Sequence, residues 1–310
     1  RDKKGAIGLD LGFTANVGPC LIKNIKITGF DIGVSCQDEQ NNIIIENLLL
    51  HEQNEIGIVN ESQSLVIRHL KSKNTVPALQ NSGSALCCVI DSELFGTNIA
   101  EEKPAIINQK PAVLFVRNTE ITDYKSIIEN ESGHGRSHND ILIEEFVSHE
   151  ITHLFESSGK SLNLEIQETP DVPWGNIEKD WVNVEDFRIT KNDDTDQRND
   201  SFMIQRAIDS GAKTVYFPVE KYVIKTDVYI RGNVQRLIGL GTYTEIIGSG
   251  KFIFAEGKSP VVVIENISGT GSGVIHAATR TLVLKSMTLQ APGYTATYKG
   301  ANIGSLFIED

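Results

Sequence analysis

Two glutamates and one enlarged bend carry the chemistry this sequence could perform. Glu144 and Glu165 each stand three residues past the start of an apolar, strand-like segment, at Ile141 and Leu162. If those segments stack as successive turns of a coil, the two carboxylates lie one turn apart. That is close to the ~5 Å separation at which paired carboxylates cleave a glycosidic bond with retention. Between 131 and 140 the run ESGHGRSHND replaces a shorter bend and gathers His134, Arg136, His138 and Asp140. These donors and acceptors suit the binding of a polar substrate on a rigidly held loop.

The elements that must position these groups form a repeat. Apolar segments ending in asparagine recur as IGIVN (56–60), PALQN (77–81), AIIN (105–108) and SIIEN (126–130). After Asn60, Asn81 and Asn108, four residues precede a fresh apolar segment at Leu65, Leu86 and Val113. Taking Ile25, Ile43, Leu65, Leu86, Val113, Ile141 and Leu162 as anchors, the spacings are 18, 22, 21, 27, 28 and 21 residues. Such a period, with β-rich segments and no 3.6-residue pattern, predicts an all-β, right-handed parallel β-helix. Asparagine suits the bends because stacked amides bond to one another and to the backbone, and because it tolerates left-handed conformations. The residues after the anchors read Lys26, Ile44, Val66, Cys87, Leu114, Leu142 and Asn163, apolar in the middle. A sheet apolar on both faces is covered on both, so Leu114→Lys is expected to destabilise packing against a neighbouring coil.

A net charge of −12 and a pI near 5.1 disfavour nucleic acid or an anionic membrane as partner. The longest apolar runs are far short of the ~18 residues of a membrane span. The chain opens at Arg1 inside an apparent repeat and ends on strand-like residues, as an internal slice of a longer protein would. The four cysteines offer no metal-site spacing. Cys87 and Cys88 point to opposite faces, and Cys20 and Cys36 are expected as buried thiols although they could pair. Asp193, Asp194, Asp196 and Asp200 crowd one loop without an EF-hand pattern, so no metal and no cofactor is expected.

The rhythm fades after LNLEI (162–166), and the proline-bearing stretch 169–181 reads as a linker. Beyond it, WVNVEDF, an acidic loop, SFMIQRAIDSG (201–211), TVYFP and KYVIK follow in order. Met203, Ile204, Ala207 and Ile208 make an apolar helical stripe, with an N-cap at Asn199 or Asp200 and a stop at Gly211. This ordered string resembles the opening of pectate-lyase-superfamily β-helix domains, in which the helix caps the coil. It departs from the usual opening where FRITKND stands. Residues 1–168 as the last turns of one β-helix and 182–310 as the start of a second are similar to the tandem arrangement of glycoside hydrolase family 55. The resemblance implies a secreted, periplasmic or cell-surface carbohydrate-active protein whose two β-helices pack on each other. It would hydrolyse a β-1,3-glucan-like polysaccharide or oligosaccharide by carboxylate acid/base catalysis. It also implies inversion, which wants about 6.5–9.5 Å between carboxylates, at odds with the spacing of Glu144 and Glu165. The alternatives are a polysaccharide lyase or epimerase, which would need calcium or a basic residue facing a uronate, and a non-catalytic glycan-binding or tailspike-like module.

Overall fold

A computed structural model describes residues 5–12, 20–37, 41–97, 100, 102–132, 141–156, 159–189, 198–290, 298–300 and 304–309. The strands wind as a mostly parallel β-solenoid of about 11 turns. The chain divides into two compact units, Arg1–Leu164 and Glu165–Asp310.

In the first unit the strands are β1 (Ile7–Asp10), β2 (Cys20–Thr28), β3 (Ile32–Cys36), β4 (Asn42–His51), β5 (Ile56–Asn60), β6 (Ser64–Asn74), β7 (Leu79–Asn81), β8 (Leu86–Gly96), β9 (Pro104–Asn108), β10 (Val113–Thr122), β11 (Ser126–Asn130) and β12 (Leu142–Val147). Short and long strands alternate because each turn enters one sheet and then the other. One sheet runs β1-β3-β5-β7-β9-β11, and the second runs β12-β10-β8-β6-β4-β2. Ile43, Leu65, Cys87 and Leu114 are register partners, wholly buried, as are Ile45, Ile67, Val89 and Val116. Each such aliphatic side chain contributes about 2 kcal/mol by leaving water.

The asparagine column forms as expected. Asn60 Nδ2 donates to Asn81 Oδ1 at 3.0 Å, Asn81 to Asn108 at 2.8 Å, and Asn108 to Asn130 at 2.8 Å. The same amides reach bend carbonyls of Gln63, Val113 and Ala112. None of these four has a positive φ, however. The left-handed residues form a second column, inside the long strands: Asn24, Asn47, His69, Asp91 and Asn118, with φ of 59°, 57°, 55°, 50° and 47°.

Two expectations of register need correction. The strands begin at Leu86 and Val113, four residues after Asn81 and Asn108 as expected, but Cys87 and Leu114 rather than Leu86 and Val113 face the core, so five residues separate those asparagines from the first inward side chain. The first of these bends takes its extra residue at Gly83, whose φ of +64° an L side chain would resist. A one-residue slip exchanges the faces of a strand. The outer apolar stripe is therefore Leu21, Ile44, Val66, Cys88 and Phe115, and Leu114→Lys would bury a charge in the core. Second, β12 is not a parallel rung. It runs antiparallel to β10, and the segment beginning at Leu162 has no strand, with Leu162 83% exposed.

The second unit contains α1 (Ile177–Asp180), β13 (Trp181–Asn183), a 3₁₀ turn (Val184–Phe187), α2 (Ser201–Asp209), β14 (Thr214–Tyr216), β15 (Glu220–Val223), β16 (Val228–Gly232), β17 (Arg236–Ile247), β18 (Phe252–Gly257), β19 (Val261–Thr270), β20 (Val274–His276), β21 (Thr281–Lys285), β22 (Thr288–Gln290), β23 (Tyr298–Gly300) and β24 (Leu306–Glu309). Its strands pair in parallel in the orders β13-β14-β17-β19-β21-β24 and β16-β18-β20-β23. On α2, Met203, Ile204, Ala207 and Ile208 are buried with Val215, Tyr222 and Ile230. The Asp200 carboxylate does not cap α2. It accepts from Arg188 at 2.9 Å, Arg198 at 2.7 Å and the Val223 N–H at 2.8 Å, while Asn199 takes the Ser201 N–H. Among the described residues no helix is long and apolar enough to cross a membrane.

Candidate functional site

The left-handed column decides where the polar side chains of the first unit go. In an ordinary strand the inward positions are two apart. Across each kink they are three apart: Ile45 and Leu48, Ile67 and Leu70, Val89 and Ser92, Val116 and Thr119, all buried. Two consecutive residues per rung are thus directed away from the core: Glu46 and Asn47, Arg68 and His69, Ile90 and Asp91, Arg117 and Asn118. All but Ile90 are polar, and the polar ones form a stripe tied across rungs. Lys23 Nζ lies 3.0 Å from Glu46, Arg68 lies 3.6 Å from both Glu46 and Asp91, and Asn118 donates to Asp91 at 2.8 Å. The left-handed residues also bond in sequence: Asn47 donates to Asn24 at 3.0 Å, and His69 Nδ1 lies 3.1 Å from Asn47 Oδ1. A groove of about 440 Å³ runs beside them, lined by His69, Lys71, Asp91 and Glu93 among others.

The last strand of that sheet inherits the kink of its neighbour. Val116 pairs with Phe146 and Thr119 with Ile143, and all four are buried. The residues between, Glu144 and Glu145, therefore both turn outward, although neighbours in a regular strand would take opposite faces. Both line a cavity of about 940 Å³ together with Leu142, Val147, His149, Ile151 and Lys160. Two nearly equivalent bonds from the Ser161 N–H, 3.1 and 3.2 Å, hold the Glu145 carboxylate, and Ser148 Oγ lies 2.8 Å from His149 Nδ1.

Of the residues picked out by sequence, Glu144 lies in this cavity. Glu165 is exposed on a segment without strand and belongs to the second unit, so the parallel column that was to bring it beside Glu144 does not exist. Glu145, its sequence neighbour, takes that place. His134, Arg136, His138 and Asp140 lie outside the described residues, as do Asp193, Asp194 and Asp196. Asp200 is occupied by two arginines. Among the described residues no group of three or more His, Cys, Asp or Glu side chains is arranged to hold a metal ion. All four cysteines are free, and burial pushes the Cys36 thiol up to about 12 and the Cys87 thiol well above its ordinary value.

No protein-family model and no curated protein matches the chain. The fold is a parallel β-solenoid, consistent with a pectate-lyase-like fold.

Proposed function

We propose that this chain is a carbohydrate-active enzyme, similar to glycoside hydrolase family 55, that hydrolyses a neutral β-glucan at the cavity beside β12. The observation that carries this reading is the pairing of Glu144 and Glu145 on one face of a roomy polar cavity. A general acid and a general base are the minimum for hydrolysing a glycosidic bond. Glu145, held by the Ser161 N–H, is the base that activates water, and Glu144 is the acid that protonates the leaving oxygen. His149 and Lys160 supply hydrogen bonds to sugar hydroxyls, and no cofactor takes part. On the same reading residues 1–168 and 182–310 are tandem right-handed β-helices joined by 169–181, with α2 capping the second, in a secreted or cell-surface protein. The apolar stripe of α2, buried beside β16, supports the capping role.

Assay of the full chain on laminarin and on polygalacturonate, with and without chelator, tests the reaction. Reducing sugar released from laminarin, lowered about 10²- to 10⁴-fold in Glu144→Gln and in Glu145→Gln, is the expected result. Full activity in both variants refutes the pair. Chelator-sensitive formation of unsaturated uronate identifies a lyase instead, and glycan binding without turnover identifies a binding module.

A further inference from the structure

The second unit carries an aromatic row that the cavity does not use. By the alternation of β13 and β14, Val182, Val215 and Phe217 face the core, so Trp181 and Tyr216 stand on the outer face of the sheet. Trp174, on the segment before α1, continues the row. Its ring stacks on that of Trp181 at 5.9 Å with planes 23° apart, and Trp181 lies 6.5 Å from Tyr216 with planes tilted by 46°. The Arg236 guanidinium packs 3.8 Å from the centre of the Trp174 ring, donates to the Val172 carbonyl, and is paired with Glu265. Two clamps therefore fix the Trp174 segment on the sheet. Even so, Trp174 remains 61% exposed, where an aromatic serving only to fasten a segment would be covered. Trp181 Nε1 and Arg236 Nε, buried beside the row, have no acceptor among the described residues.

We propose that Trp174, Trp181 and Tyr216 form a binding platform for a neutral glycan chain. A pyranose with equatorial hydroxyls presents axial C–H groups to the negative face of an aromatic ring, and the 61% exposed Trp174, braced by Trp181, offers such a face. Charge selects against polyuronates: Glu265 pairs with Arg236, the cation packed on Trp174, and the chain as a whole carries −12. The platform shares its ligand class with the proposed function but does not depend on Glu144 or Glu145 being catalytic.

The chain has two tryptophans, Trp174 and Trp181, so tryptophan emission, excited selectively over tyrosine, reports on this row. The test titrates laminarihexaose, cellohexaose and hexagalacturonate into the full-length Glu144→Gln variant, with calorimetry alongside. A saturable emission change with a neutral hexaose, and binding weakened about tenfold or more by Trp174→Ala but largely kept by Trp174→Phe, is the expected result. Calorimetric binding with no emission change and the same affinity in Trp174→Ala overturns the platform while leaving the cavity in place. Preference for hexagalacturonate, or no binding of any of the three, also overturns it. Loss of hydrolysis with an intact emission response instead separates failure of the catalytic reading from failure of this one.

Discussion

Asn81→Ala tests whether the asparagine column holds the first unit together. Asn81 is wholly buried and makes three side-chain bonds: it accepts from Asn60 at 3.0 Å and donates to Asn108 Oδ1 at 2.8 Å and the Val113 carbonyl at 3.0 Å. Truncation removes the donor from the buried Asn108 Oδ1 and from the part-buried Val113 carbonyl. Asn60 Nδ2, by contrast, keeps the Gln63 and Leu86 carbonyls at 3.2 and 3.4 Å. Each group stranded in this way costs about 1–3 kcal/mol, so the two oxygens together give about 2–6 kcal/mol. Chains of bonds that polarise one another place the value in the upper half of that range. Urea unfolding followed by far-ultraviolet circular dichroism, with linear extrapolation, reads the difference. The comparison variant is Asn108→Ala, which cuts the next link and should cost a similar amount. A loss below about 1 kcal/mol in both would refute the claim that the column is a connected, buried network.

Leu114→Ala should destabilise by about 2–5 kcal/mol in the same assay, because Leu114 lies in the core rather than on the outer face. Cys36 and Cys87 should resist a thiol reagent at pH 8 until urea unfolds the chain, since burial raises both thiols; rapid native labelling of either would contradict their placement. The Arg188 hydrogen bond lowers the Glu185 carboxyl below its ordinary 4.5. The stability it gives is full above that value and lost as pH falls through the lower folded value. Glu185→Gln should therefore lower stability at pH 7 and flatten the acid side of an unfolding profile read by tryptophan emission; an unchanged profile refutes the coupling.

The repeat and its asparagine ladder were legible because identical amides must recur once per turn to bond to one another. Face and register were less so. Leu86-Cys87-Cys88-Val89-Ile90 is apolar at every position, so either alternation satisfies the core, and the extra residue at Gly83 leaves no hydrophobic trace. Direction was illegible for a similar reason: the Ile143 and Phe146 of an antiparallel strand look like those of a parallel rung. The Glu144–Glu145 pairing depends on a kink in a different strand, at Asn118 of β10. A signal for it did exist, since Asn24, Asn47, Asp91 and Asn118 are types that tolerate left-handed φ, recurring at the turn period with His69 between. The aromatic row was hidden because Trp174 sits in a stretch whose prolines mark only a linker.

The asparagine ladder has a direction: each amide N–H donates a hydrogen bond to the asparagine one turn later, from Asn60 to Asn130. At its end Asn130 Nδ2 donates to the Ser148 carbonyl. Such a head-to-tail chain looks the same after translation by one turn but not after reversal. A duplicated turn spliced into the gene would find its donor and acceptor already waiting on either side, whereas an inverted one would meet donor with donor. Growth by whole turns therefore leaves every join chemically matched, and a coil of this kind can change length over evolution without redesigning its interior.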